Sequence, residues 1–270
     1  MKIRVATYNI HKGVSSIGNR PRVLALKKAI GMFGADVVFL QEVQGKHDHF
    51  SAKFGDETRG RRHWPEGAQH EFLAGEMTHT AYGMNAIYDH GHHGNALLSS
   101  FPIASHTNDD VSDHAYEQRG ILHCILQMEG RNVHCYVVHL GLFEAGRGRQ
   151  TDLLIKKVLA SAPPDEPVII AGDFNDWRNN LSARLREALG VREVFDELGK
   201  TNPIGDLARR LVGRSKIVNP ARTFPAAMPF FRLDRMYVRG FTVEHAEVLH
   251  GPSWARLSDH APIVANLALS

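Results

Sequence analysis

A chain of 270 residues, 43% hydrophobic and 23% charged, can bury a substantial core, and this ordinary make-up excludes a disordered or low-complexity chain. A formal charge of +3 is too small to mark a nucleic-acid binder by itself, although a pI near 8.9 is compatible with an anionic substrate. No apolar run reaches membrane-spanning length, and two cysteines are too few for a disulfide framework.

The opening MKIRVATYN alternates charged and apolar residues and predicts a strand over 3–8, with no room for an apolar leader; a cytoplasmic chain is expected. RVLALKKAIGMF (22–33) has helical spacing, and strands are expected at 36–40, 84–88 and 96–98. Residues 47–75, rich in His, Arg, Gly and Glu, read as a long surface excursion with one short helix near its end. Strands at 121–126 and 133–138 flank Glu129-Gly130, a turn signal that sets Cys124 opposite Cys135 in a hairpin; two free thiols are expected there. Helical spacing returns in RQTDLLIKKVLA (149–160) and LSARLREALG (181–190), on either side of a strand at 168–171. After an irregular stretch from 199 to 232, strands are expected at 233–238, 241–249 and 263–269. The pattern is mixed α and β without repeat or linker, so a single domain spanning 1–270 is the simplest division.

Polar residues recur where apolar strands stop. VATYN ends at Asn9, DVVFLQE at Glu42, CYVVH at His139 and VIIAGDFN at Asp173 and Asn175, while LSDH supplies Asp259 and His260 just before APIVANLAL. A polar strand end is commonplace, but five of them carrying Asn, Glu, His and Asp suggest side chains converging on one rim. In GDFND, Asp173 and Asn175 alternate on extended chain and point to one side, which leaves Asp176 the turn or helix-capping role common for its residue type.

These residues fall in motifs: TYNIHKG (7–13), LQEV (40–43), GNALLSSFPI (94–103), VVHLG (137–141), AGDFND (171–176), LDRMYV (233–238) and LSDHAPI (257–263). In that order they resemble the endonuclease/exonuclease/phosphatase superfamily, the deoxyribonuclease I-like metal-dependent phosphoesterases, in an uncharacterised bacterial branch. The resemblance implies an α/β (α+β) fold, a four-layer α/β/β/α sandwich of two packed sheets with helices outside. It implies a Mg²⁺-dependent phosphodiesterase, most simply nuclease-like, with Mn²⁺ as a possible substitute. Glu42 is then the principal metal ligand, with Asn9 and Asp259 completing its surroundings by direct contact or through water. Asp173 orients or deprotonates the attacking water and Asn175 helps hold that water or a phosphate oxygen. His260, with Asp234 accepting its other ring proton, faces the scissile phosphate, and His139 is a second donor to it. Asn95 and Arg119 are further candidates for phosphate contact; for Arg119 a structural ion pair is the competing role. Where many nucleases of the family have an acidic residue two positions after the first Asn, this chain has His11 followed by Lys12. That departure puts a second acidic metal position in doubt and points His11 and Lys12 toward an additional phosphate or a head group.

The substrate itself is less constrained, because such families share a rim and differ in loops. Arg59, Arg61, Arg62, Arg209, Arg210, Arg214 and Lys216 could follow a nucleic-acid backbone or lie on a solvated surface. RTFPAAMPFFRLDR places Phe224, Met228, Phe230 and Phe231 just before Asp234, which would suit a phospholipid or sphingolipid phosphodiesterase if the loop is exposed, or core packing if it is not. A catalytically silent phosphate-binding module is the second alternative, and peripheral membrane contact belongs to the lipid reading. No stable protein partner is implied. A zinc site from His47, His49, His90, His92 and His93 is a weaker expectation, since their spacing fits no standard structural site.

Overall fold

The computed structural model describes residues 1–15, 20–55, 60, 63–114, 116–198 and 221–270. In chain order its elements are β1 (Lys2–Asn9), α1 (Val23–Met32), β2 (Val37–His47), α2 (Asp48–Phe54), α3 (Gln69–Ala74), β3 (His79–Tyr88), β4 (Gly91–Ser99), β5 (Ile103–Asp110), β6 (Gly120–Met128) and β7 (Arg131–His139). They continue as α4 (Glu144–Ser161), β8 (Val168–Asp173), α5 (Ser182–Leu189), β9 (Arg192–Glu193), α6 (Val194–Leu198), β10 (Asp234–Arg239), β11 (Phe241–Val248), α7 (Pro252–Ala255) and β12 (Ile263–Leu269).

The strands form two six-stranded sheets, ordered β11-β12-β1-β2-β4-β3 and β5-β6-β7-β8-β10-β9. Strand alternation distributes the apolar residues between three cores. Ile3 and Val5 of β1, Val37 and Phe39 of β2, Val133, Cys135 and Val137 of β7, and Ile169 and Ala171 of β8 meet in a core between the sheets. The intervening residues face outward: Ala6, Tyr8, Val38 and Leu40 pack with α1 and α3, and Tyr136, Val138, Val168 and Ile170 pack with α4 and α5. Burial on both faces explains the continuous apolar runs. The result is the expected α/β/β/α sandwich.

Within each sheet one adjacent pair is parallel, β1 with β2 across α1 and β7 with β8 across α4. Parallel pairs need such crossovers, and they bring both C-terminal strand ends to the same edge. β10 runs antiparallel to β8, so its first residue, Asp234, lies beside the last residue of β8, Asp173.

Some elements differ from the sequence expectations for physical reasons. β5 (IASHTNDD) is mostly exposed and pairs only with β6, an edge strand whose polar surface hides its periodicity. α4 starts at Glu144 despite two glycines in its first turns; Arg147 donates to the carbonyls of Gly141 and Leu142, and Gln150 accepts the Gly141 N–H at 2.7 Å, fixing the entry. The β6–β7 hairpin forms as expected, with Glu129 and Gly130 both at positive φ and Cys124 directly opposite Cys135, both free.

Candidate active site

On the inter-sheet face, four strands carry an apolar stripe whose next inward position is polar. Val5 leads two steps on to Thr7 and then Asn9, Val137 to His139 and Ala171 to Asp173, while Asp234 precedes Met236. His139 and Asp234 are the direct register partners of Asp173 on its two sides. Gly172 makes this register possible: at φ 148°, a Cβ there would lie 1.9 Å from the Val138 carbonyl.

Glu42 reaches the site differently. It shares parity with Val38 and Leu40, which face the helices, but β2 is irregular between Leu40 and Val43 and Glu42 sits at φ 56°. Six non-glycine residues have positive φ among the described residues, and His11, Lys12, Glu42 and Asn175 are four of them. Such conformations cost about 1 kcal/mol or more each and persist only where the surroundings impose them. Their concentration here separates the rim from the other strand ends.

The buried polar network is dense. His260 Nδ1 lies 2.7 Å from Asp234 Oδ2, and its Nε2 is 3.7 Å from Asp173 Oδ2; His139 Nε2 is 3.6 Å from that same oxygen. Asp173 Oδ1 accepts the Asn175 N–H at 2.9 Å, while the Asn175 amide donates to the Leu140 carbonyl at 2.9 Å. Asn9 Nδ2 donates to Asp173 Oδ2 at 3.2 Å and to Glu42 Oε1 at 3.3 Å, while Asn9 Oδ1 accepts the His11 N–H at 3.1 Å. In this orientation Asn9 ties the two carboxylates together through its NH₂ and stands directly beside Glu42, while its Oδ1, accepting the His11 N–H, keeps a second lone pair. His11 Nδ1 lies 3.2 Å from Asp259 Oδ1, and Lys12 Nζ lies 4.0 Å from Glu42 Oε2.

Burial raises the Asp173 carboxyl to about 6, against the charge of His260. Burial opposes the charge of His260 as well, but Asp234 and Asp173 outweigh it and raise the imidazole to about 10. His139 is held well below its usual value by burial and then by the charges of Arg119 and His260. The two histidines therefore differ in state at neutral pH, His260 an imidazolium and His139 a neutral ring. Burial also works against ionisation of Asp259, yet the hydrogen bond from His11 and the charge of His260 hold it below the usual carboxylate range.

Asp173, Asp234 and His260 are the one group of at least three potential metal ligands within 4.8 Å of one another among the described residues. A protonated His260 offers two donors and no lone pair, so these three read as a proton-handling group. Glu42 and Asp259 are hard oxygen donors at the same rim, and Asp234 Oδ1 is buried without a partner, so the site has an uncompensated demand for positive charge. A hard divalent cation fits this donor set.

Glu42, Arg119, His139, Asp173, Asn175 and His260 line a cleft of about 440 Å³, whose other wall is Leu142, Trp177, Phe224, Phe231 and Leu233. Arg119 donates to the carbonyls of Leu140 (3.3 Å) and Gln118 (3.2 Å) and pairs with Glu117 at 3.5 Å, so the ion pair exists while the guanidinium still borders the cleft. Asn95 corrects an expectation: it is fully buried, and its amide donates to the carbonyls of Gly120 (2.9 Å) and Val137 (3.2 Å), linking the two sheets behind the rim. His93, one inward step nearer the rim on β4, borders the site instead, and the alternation of His93, Asn95 and Leu97 was the available signal. Thr223 was also missed; its hydroxyl accepts the Asp234 N–H at 3.2 Å and its carbonyl accepts the Ala261 N–H at 2.8 Å, fixing both the carboxylate partner of His260 and the residue that follows it.

The aromatic loop divides in two. The Phe224 ring packs 5.0 Å from His260, whereas Met228 (66%), Phe230 (50%) and Phe231 (45%) are exposed. Asp176 is buried and accepts the N–H groups of Asn180 and Leu181 at 3.0 and 2.9 Å, the turn role, holding the chain just before α5. Of the expected zinc ligands His47, His49 and His90 do come together, with ring centroids 4.4 to 6.1 Å apart, but His47 Nδ1 accepts the Phe50 N–H and no three of these histidine nitrogens lie within 4.8 Å of one another among the described residues. Arg59, Arg61, Arg62, Arg209, Arg210, Arg214 and Lys216 lie outside the described residues.

A two-sheet sandwich with carboxylates and histidines on the shared rim is the architecture of metal-dependent phosphoesterases. A model of the Endonuclease/Exonuclease/phosphatase family matches residues 6–260, and the chain belongs to that family. It is 40% identical over 269 residues to a protein of Escherichia coli (strain K12) described as uncharacterized protein YbhP, which covers 98% of this chain and 96% of that one. Among solved structures, the endonuclease/exonuclease/phosphatase of Beutenbergia cavernae superposes with a TM-score of 0.70 at 19% identity, covering 100% of this chain and 72% of that one. The D. rerio TDP2 complexed with single strand DNA product superposes with a TM-score of 0.66 at 18% identity, covering 99% of each chain. At these identities the structural likeness speaks for the fold. No helix among the described residues is long and apolar enough to cross a membrane.

Proposed function

We propose that the protein hydrolyses a phosphodiester by in-line attack of water, with Mg²⁺ as its cation and a nucleic-acid strand as its substrate. The observation that carries this reading is Asp173, flanked in register by His139 and Asp234 and within 3.7 Å of His260, at the floor of an open cleft. Asp173, tethered by the Asn175 and Asn9 hydrogen bonds, accepts a proton from the attacking water. The His260 imidazolium, held by Asp234, and the neutral His139 ring donate toward the phosphoryl oxygens as negative charge grows there. A divalent cation held by Glu42 and Asp259, with Asn9 keeping Glu42 in place, supplies neutralisation of a phosphate oxygen when bound. Hydrolysis of bis-p-nitrophenyl phosphate with and without Mg²⁺, beside an Asp173→Asn variant, tests the reaction; a parallel panel of plasmid DNA, RNA, inositol phosphates and phospholipids tests the substrate. A wild-type rate on the diester no greater than that of the variant rejects the hydrolase reading in favour of a phosphate-binding module.

The exposed apolar residues Leu142 (53%), Phe143 (66%), Trp177 (44%), Met228, Phe230 and Phe231 favour a second reading, a phospholipid diesterase that rests these side chains on a membrane surface. Sedimentation with anionic vesicles separates the two: binding that is lost in a Phe230→Ser/Phe231→Ser variant supports the lipid reading.

A further inference from the structure

Beside the catalytic cleft, and sharing its wall of Glu42, Arg119 and His139, is a second lobe of about 370 Å³. The two lobes are chemically unlike. The first has only aromatic and aliphatic side chains on its far wall, whereas the second adds Lys12, His93 and Gln118 to a wall of Ile87, Tyr88 and Tyr116, and Glu42 is its only acidic lining residue among those described.

Several features aim hydrogen-bond donors into this second lobe. Lys12 stands in a run of three residues with positive φ, His11 (45°), Lys12 (57°) and Gly13 (71°). The turn is clamped by Gln69, whose Nε2 donates to the Lys12 carbonyl at 3.1 Å and lies 2.3 Å from where a Gly13 Cβ would be. Two non-glycine residues in this conformation are disfavoured and persist only where the surroundings impose them. The turn sends the side chains of His11 and Lys12 to different partners, His11 to Asp259 and Lys12 to the lobe. Gln118 is oriented because its Oε1 accepts the Ile87 N–H at 2.7 Å, which leaves its NH₂ as an uncommitted donor. His93 Nδ1 is buried and without a partner, and the Arg119 fork borders both lobes. An ammonium, a guanidinium, an amide NH₂ and an imidazole around one polar hollow form a phosphate receptor.

We propose that this lobe is a second phosphate subsite, so that the substrate is a polynucleotide strand whose neighbouring phosphate sits against Lys12, Gln118 and His93 while the scissile one lies on the shared wall. This rests on the phosphodiesterase reading and deepens it. The strand is favoured because the opposite lobe offers Trp177 and Phe231 as surfaces on which a base can stack, giving one ligand with a charged and a flat apolar part.

The test is calorimetric titration of the full chain in Mg²⁺ with adenosine 3′,5′-bisphosphate, adenosine 5′-monophosphate and adenosine 3′-monophosphate, and in a parallel arm with inositol 1,4-bisphosphate and inositol 1-phosphate. The nucleoside bisphosphate should bind roughly tenfold more tightly than either monophosphate, a modest return for a charge-assisted contact. In Lys12→Met that ratio should fall to near one, and in Gln118→Ala, which leaves the strained turn untouched, it should fall part of the way. Equal affinities in the wild type, or a ratio unchanged in both variants, overturn the subsite. A preference confined to the inositol pair overturns the strand assignment. Hydrolysis of bis-p-nitrophenyl phosphate, which has no second phosphate, is measured in the same wild-type preparation. Hydrolysis without bisphosphate preference rejects the subsite alone, whereas preference without hydrolysis rejects the catalytic reading alone.

Discussion

At Asp173 and His260, burial and mutual charge set opposite tasks for two neighbouring groups. Asp173 becomes a proton acceptor as pH rises through about 6, and His260 stays a donor until pH passes about 10. Diester hydrolysis is therefore expected to rise through an acid limb at or below about pH 6, since a bound cation lowers that limb further, and to fall only near pH 10. Asp234→Asn removes the partner that raises His260; a pH–rate profile should show the alkaline limb moved down, with a loss of roughly 10²-fold or more in kcat. The same shifts act on stability. His260 has its folded pKa raised, so its contribution is fully present below 6.5 and is lost as pH rises through about 10. Asp173, raised from 3.8 to about 6, likewise favours the fold only at lower pH. Thermal melts of the metal-free protein should show a midpoint falling between pH 7 and 10, and a smaller fall in His260→Gln.

Elements position these residues through a few buried contacts. The turn after β8 is held by Asp176, which accepts two backbone N–H groups and pairs with Arg235, a fully buried guanidinium 3.8 Å from its carboxylate that also donates to the Asp176 carbonyl at 2.7 Å. Asp176→Ala leaves that charge unpaired, and chemical denaturation should report a loss of roughly 3 kcal/mol or more. β7 and β8 can pair at the rim only because position 172 lacks a side chain. In Gly172→Ala a Cβ 1.9 Å from the Val138 carbonyl must push the strands apart, so soluble yield and midpoint should drop together, beyond the roughly 1 kcal/mol ordinary for this exchange. β5 and the start of α4 were hard to read in the sequence for related reasons: one is a polar edge, and the other is fixed by Arg147 and Gln150 reaching back across the Gly141–Leu142 turn.

Across the whole molecule, the sandwich gathers Glu42, Asp173, Asp234 and Asp259 at one rim, and that concentration of carboxylate couples cation binding to stability. Mg²⁺ at about 100 times its Kd should stabilise by roughly 2.7 kcal/mol and raise the melting midpoint by about 5–10 °C; EDTA should reverse this, and Glu42→Gln should diminish it. Much of this arrangement was already written in the chain. The inward stripes Ile3-Val5-Thr7-Asn9, Val133-Cys135-Val137-His139 and Ile169-Ala171-Asp173 each run apolar to polar with period two, so which strand ends carry chemistry is a local property of the sequence. Other assignments depended on depth and on broken periodicity. Asn95 and His93 lie on one face of the same strand, but only the distance between the sheets decides that Asn95 is sealed behind the rim and His93 borders it. Glu42 has the parity of an outward residue and reaches the cleft through a backbone irregularity at φ 56°, and Lys12 and His11 part company at a left-handed turn clamped by Gln69, 57 positions away. The sequence by itself determined the strands, the reacting residue types and the strand ends that carry them, because alternation is a local rule, while the four layers came from the family resemblance of its motifs. Which of them face the cleft, and in what charge state, was decided only by tertiary structure, because burial and neighbouring charge are properties of the packed chain.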